Sequence, residues 1–229
     1  MYFMDYWYVV LVIPAIILGM YAQRKVNKTF KQFSSVGNSK HLTAAQVARQ
    51  ILDRNQLYHV KVEQVSGHLT DHYDPRSNVI RLSNSVYDST SVASIGVAAH
   101  EVGHAIQHAT AYAPLKLRNA IIPITQFGSN VGPIMILLGF MIYEPLIPIG
   151  IILFAGVAFF QLVTLPVEYN ASNRALATLE NDGILNVTEN AAAKKVLSAA
   201  ALTYVAALVM ALANLLRLIL IYQGRRDND

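Results

Sequence analysis

Cysteine is absent from the 229 residues, which excludes disulfides and thiolate ligands, so any metal ion here must be held by histidine and carboxylate. Charge is scarce: Asp, Glu, Lys and Arg make up 14% of the chain, against roughly 25% in soluble domains. No Pro-rich or Gln-rich tract and no long-period repeat occurs, so neither a disordered tail nor a solenoid is expected. The net charge is +4, but the basic residues lie scattered beside apolar runs and form no patch with aromatics, which speaks against a nucleic-acid partner.

Apolar residues are what the chain has in excess, at 54%. Tyr6 to Ala22 is an uncharged run with Tyr6, Trp7 and Tyr8 at one end and Tyr21 at the other, as in a membrane span with aromatic belts. Pro14 is expected to kink it. Asp5, with no Lys or Arg before the run, argues for a retained anchor over a cleaved signal peptide. Arg24, Lys25, Lys28 and Lys31 follow directly, which places the amino terminus outside and the next region in the cytoplasm. After Arg118 the chain is charge-free to Glu168 apart from Glu144. Ile121–Tyr143 and Leu146–Val167 are each long enough to span, and together they form a hairpin about Glu144-Pro145. Thr125, Gln126, Ser129 and Asn130 in the first of these are expected at a helix interface or cavity. Ala199–Tyr222 is the last apolar run, with Arg217 near enough to its end to snorkel. A fourth span would put Arg225 and Arg226 outside, against the charge bias, unless the tail is interfacial.

Between the spans lies polar sequence. Thr43-Ala-Ala-Gln46 is a capping box that opens a helix to about Gln56. Val60–Ser66 and Asn78–Leu82 read as two strands of a hairpin, with a turn at Asp74-Pro-Arg-Ser77. His68, Asp71, His72 and Asp74 fall in that hairpin and read as its polar residues in preference to ligands. From Glu168 to Ala193 the chain is polar again, with Gly183 as a helix stop and Thr188 as the next cap. The fold class expected is a mainly α membrane protein of about four transmembrane helices with a small α+β domain. Its segments are an anchor at 1–23, the main polar region at 24–118, a transmembrane hairpin at 119–167, a helical segment at 168–198 and a C-terminal helix and tail at 199–229.

Within the polar region, Val97-Ala-Ala-His100-Glu101-Val-Gly-His104 contains the pattern His-Glu-x-x-His. Residues four apart on an α-helix point about 40° apart and lie about 6 Å apart along the axis, so His100 and His104 can converge on one ion. Glu101 points elsewhere, but it can reach a water at that ion and take its proton. Ser89 or Ser91 can cap this helix, and no proline interrupts Val92 to Ala113. A catalytic zinc usually has three protein ligands and an open position. The extended pattern with a third His on the same helix is excluded, because Gln107 and Thr110 stand where Gly and His are required. His108 is a turn too far along. Glu168 fits better as third ligand: a lone acid ending an apolar span wants a partner, and two intervening spans return it to the side of His100 and His104. Its position also puts the ion near the membrane surface. Glu180 and Glu189 sit in polar sequence and read as exposed acids.

Leu69-Thr-Asp-His-Tyr-Asp-Pro75, Ile80-Arg-Leu-Ser83, Ala98–Gln107 and Leu165-Pro-Val-Glu-Tyr-Asn-Ala-Ser172 with Arg174 and Ala175 resemble the YugP-type neutral zinc metallopeptidases of bacterial membranes, over nearly the whole chain. Glu168-Tyr-Asn-Ala-Ser172 is also similar to the Glu-x-x-Ala-Asp element of HtpX-like membrane proteases, whose Glu is the third zinc ligand. Ser172 stands where that Asp would be, and Asn170 where YugP-type sequences often have Asp. The resemblance implies a membrane-bound zinc metalloendopeptidase with Zn²⁺ held by His100, His104 and Glu168, Glu101 as general base, and a peptide or membrane protein as substrate. The hairpin could offer an edge strand to an extended peptide. Two other readings stand beside it. A non-catalytic membrane adaptor would have no use for Glu101, and a transporter would be expected to carry charge at the centre of a span or an internal repeat.

Overall fold

The computed structural model describes residues 5–226; the first four residues of the expected anchor and the last three of the expected tail lie outside them. A π-helical turn Tyr8–Val12 leads into α1 (Ile13–Ser34), followed by α2 (Ala44–Arg54), β1 (Lys61–Val65), β2 (His72–Asp74) and β3 (Val79–Ser83). Then come α3 (Val92–Ala109), α4 (Ala113–Met141), α5 (Leu146–Asn181) and α6 (Val187–Arg226). Among the described residues the protein is mainly α, with four helices long and apolar enough to cross a membrane and one small sheet. The described residues divide into two compact units, one of residues 5–23, 116–166 and 202–226, the other of residues 24–115 and 167–201.

In the apolar unit the wider π-helical turn ends two residues before Pro14, whose ring lacks the N–H that an α-helix would use. α1 does not stop at Ala22, because hydropathy marks where lipid contact ends and not where helical hydrogen bonding ends. α4 and α5 meet through glycines: a Cβ on Gly128 would lie 2.8 Å from the Leu153 carbonyl oxygen, and one on Gly150 would lie 2.8 Å from that of Gly132. Ile124, Phe127, Ile134 and Leu137 are left exposed, the surface expected to face lipid. Thr125 and Ser129 need no cavity, since their hydroxyls donate to Ile121 O at 2.8 Å and Gln126 O at 3.0 Å within the same helix. Arg217 does more than snorkel. Its Nε and Nη2 donate to Asp5 Oδ2 at 2.9 and 2.6 Å, and the guanidinium lies over the Tyr8 ring. Asp5 also accepts from Tyr8 N at 2.9 Å, capping the first turn.

The second unit is built on α2, the sheet and α3. The Thr43–Gln46 capping box is present on both sides, and α2 buries Val47, Ala48, Ile51 and Leu52. These pack with Ile80, Leu82, Val92, Ile95, Ala99 and Val102 in one core, each large aliphatic side chain contributing about 1.5–3 kcal/mol by burial. The strand order is β1-β3-β2, with β1 parallel to β3 and β2 antiparallel to it. The hairpin therefore joins β2 and β3. The expected pairing of 60–66 with 78–82 exists, but as a parallel ladder, because the short β2 takes the hairpin position.

α5 runs unbroken through Pro166 and Glu168, where the shift in composition marks a boundary between apolar and polar sequence and not a helix end. Gly183, at φ +58°, ends this helix stretch as expected. The next helix is capped by Asn186 instead of Thr188: Asn186 Oδ1 accepts from Glu189 N at 2.9 Å, while Glu189 Oε2 accepts from Asn186 N at 2.9 Å. Glu189 is accordingly buried, not exposed, and it also accepts from Ser39 N at 2.7 Å.

Candidate metal centre

Helix α3 begins at Ser91, whose Oγ accepts from Ser94 N at 3.2 Å. Its small residues let α5 approach closely. A Cβ at Gly103 would sit 2.6 Å from the Ala171 carbonyl oxygen, so only glycine leaves room for the two backbones at this crossing. The crossing brings the turn Glu168–Ser172 against His100 and His104.

Glu168 Oε2 lies 3.3 Å from His100 Nε2 and 3.5 Å from His104 Nε2, with all three side chains largely buried. One ligand atom from each of the three residues falls within 4.8 Å of the others. A tetrahedral ion with bonds of about 2.1 Å has ligand–ligand edges of about 3.4 Å, so the two measured separations match the edges of such a site. The imidazoles stand nearly perpendicular, at 82°, with centroids 4.7 Å apart. Both Nδ1 atoms are engaged elsewhere, that of His100 with Ser172 Oγ at 3.1 Å and that of His104 with Gln107 Oε1 at 3.0 Å. The Nε2 atoms are thereby directed to the common centre. Two nitrogens and one carboxylate oxygen are a donor set suited to zinc.

Glu101 is buried on the same helix. Burial works to lower the His104 pKa, but the hydrogen bond to Glu168 and the charges of Glu101 and Glu168 outweigh it and hold the pKa above its ordinary value. This local field favours positive charge, whether a proton or a metal cation.

The other histidines and acids singled out by their sequence positions lie elsewhere. His108 Nδ1 is 2.9 Å from Tyr73 Oη. Asp71 accepts from Ser83 N at 2.7 Å, Asp74 from Ser77 Oγ at 2.6 Å and Arg81 Nη1 at 3.3 Å, and His72 Nδ1 faces Thr70 O at 2.8 Å. Glu180 accepts from Asn190 Nδ2 at 3.2 Å. Among the described residues, His100, His104 and Glu168 form the one group of three that could hold a metal ion. The residues that sequence reasoning passed over are Gln107 and its neighbours. The available signal was a polar side chain three residues after His104 on an otherwise small and apolar helix face.

Comparison with known proteins bears on this geometry. Residues 8–223 match the family described as "Putative neutral zinc metallopeptidase". The chain is 48% identical over 223 residues to "Putative membrane protease YugP" of Bacillus subtilis (strain 168), an alignment covering 97% of this chain and 99% of that protein. No solved structure matches the chain.

Proposed function

Since the chain belongs to the neutral zinc metallopeptidase family, we propose that His100, His104 and Glu168 hold its zinc ion and that Glu101 is the general base for peptide-bond hydrolysis. The observation that carries this reading is the approach of one carboxylate oxygen to two Nε2 atoms at 3.3 and 3.5 Å. Zinc bound there supplies a Lewis acid, polarising a carbonyl and lowering the pKa of water towards about 7. Glu101 accepts a proton from the attacking water and delivers it to the leaving nitrogen as the C–N bond breaks. Its place beside His100 in the chain turns it off the ligand stripe, leaving it free for that transfer. Ser172 and Gln107 keep the two rings in place.

The protein is a membrane protease by family, and its substrates are peptides or proteins. The finer assignment is an active site on the cytoplasmic side, supported by Arg24, Lys25, Lys28 and Lys31 after the first apolar run. The Asp5–Arg217 pair supports the even number of crossings this topology needs, because it holds the start of the first helix to the end of the last.

The test is metal analysis of the purified full-length protein followed by cleavage of a casein or peptide-library substrate with and without chelator. Stoichiometric zinc and chelator-sensitive cleavage are expected. A protein that binds no zinc would overturn the proposal.

A further inference from the structure

Gln107 is fully buried in the polar unit, and a primary amide in that setting must have its donors and acceptors matched. Its Nε2 donates to Val167 O at 2.8 Å and to Asn170 Oδ1 at 3.0 Å. A backbone carbonyl can only accept, so the amide nitrogen must face Val167 and Oε1 must face His104. The orientation of Asn170 is set in the same way, since its Oδ1 also accepts from Arg174 Nε at 2.8 Å and a guanidinium can only donate. Every role along the path is thus decided by its end members. Gln107 Oε1, an acceptor, stands 3.0 Å from His104 Nδ1, so that nitrogen must carry a proton, and in the neutral ring that a metal ion requires Nε2 presents its lone pair.

The contact at His100 differs in kind. Ser172 Oγ can donate or accept, and so leaves the tautomer of His100 open. Gln107 also reaches across to the carbonyl of Val167, the residue before Glu168. One side chain therefore orients one ring and grips the backbone beside the carboxylate that meets it.

We propose that Gln107 is a positioning residue that fixes the Nδ1–H tautomer of His104 and its distance to Glu168, with Asn170 and Arg174 holding the Gln107 amide in the required sense. This rests on the reading of His104 and Glu168 as zinc ligands. A carboxylate is not needed at the ring, because directionality comes from the amide's fixed orientation. Asn170 uses only its oxygen in both contacts, so aspartate can replace it and an apolar residue cannot.

The test is zinc affinity of the full-length protein in detergent, measured by competition with a chelating dye, together with the visible spectrum of the cobalt-substituted protein. Gln107→Leu is expected to weaken zinc binding about 10- to 100-fold, the range for losing a partner of a ligating histidine, and to shift the cobalt bands. Asn170→Leu is expected to weaken binding several-fold, and Asn170→Asp to restore it, a comparison that stands even where Gln107→Leu does not fold. Wild-type affinity and unchanged cobalt bands in both leucine variants would overturn the role of Gln107 alone. Absence of zinc from the wild type would instead overturn the metallopeptidase reading beneath it.

Discussion

Gly103 and Ala171 meet backbone to backbone beside the candidate metal centre: the hydrogen that Gly103 carries in place of a Cβ faces the Ala171 carbonyl oxygen, 2.6 Å from where that carbon would be. A backbone carbonyl inside a helix cannot swing aside as a flexible side-chain tip can. Gly103→Ala must therefore push α3 and α5 apart. The expected result is a loss of about 1–3 kcal/mol of stability, the usual range for overpacking, with a drop in zinc affinity. Thermal unfolding and dye competition on the same preparation read both, and an alanine variant equal to wild type in both would show that the crossing is looser than it is here.

Glu101 and Glu168 are both buried acids, but they are expected to fail differently. Glu101→Gln should keep stoichiometric zinc and lose about 10²- to 10⁴-fold in turnover, the range for a general base. Glu168→Ala should lose zinc and turnover together. Metal content and cleavage rate, measured side by side, separate the two; normal turnover in Glu101→Gln would remove the base from the scheme.

His108→Ala is expected to retain zinc and most activity. The lost contact to Tyr73 is worth about 1 kcal/mol. A zinc-free His108→Ala protein would require a ligand set other than the one assigned.

Asp71 offers a pH dependence whose sign can be stated. Burial pushes its carboxyl above the ordinary range, although the Ser83 hydrogen bonds pull the other way. Between the ordinary value of 3.8 and the raised one, the folded protein binds more protons than the unfolded chain, so stability falls as pH rises through that window. Asp71→Asn removes this term while Oδ1 can still accept from Ser83 N. The unfolding temperature of the variant relative to wild type should therefore climb with pH across the window and level off above it. A gap that shrinks with rising pH would contradict the assignment.

The cluster of His100, His104 and Glu168 was readable from the chain because each clue is local: a four-residue spacing for His100 and His104, and an acid at the end of an apolar run for Glu168. The Thr43 capping box was readable for the same reason. What escaped depends on residues far apart in sequence. Glu189 looks like a solvated acid until Ser39 reaches it. Gln107 looks like an ordinary helix residue until Val167 and Asn170 close on it. The parallel pairing of β1 with β3 depends on a three-residue β2 too short to show a period. Helix lengths were under-read for a different reason, since an apolar run reports the solvent around a helix and is silent about its backbone.

The charge bias of the loops also makes the topology testable. A fusion in the 24–118 region should be cytoplasmic and one at Glu144-Pro145 external. The reverse pattern would move the active site to the other face of the membrane.

The Asp5–Arg217 contact joins residues 212 positions apart, and this sets an order on biosynthesis. Asp5 leaves the ribosome before the helices that separate it from Arg217, and Arg217 after most of them. The carboxylate must therefore wait in water or at the lipid headgroups while the intervening helices are made, and the contact can form only once α6 has emerged. A nascent chain stalled before α6 would carry Asp5 without the guanidinium that it meets in the folded protein.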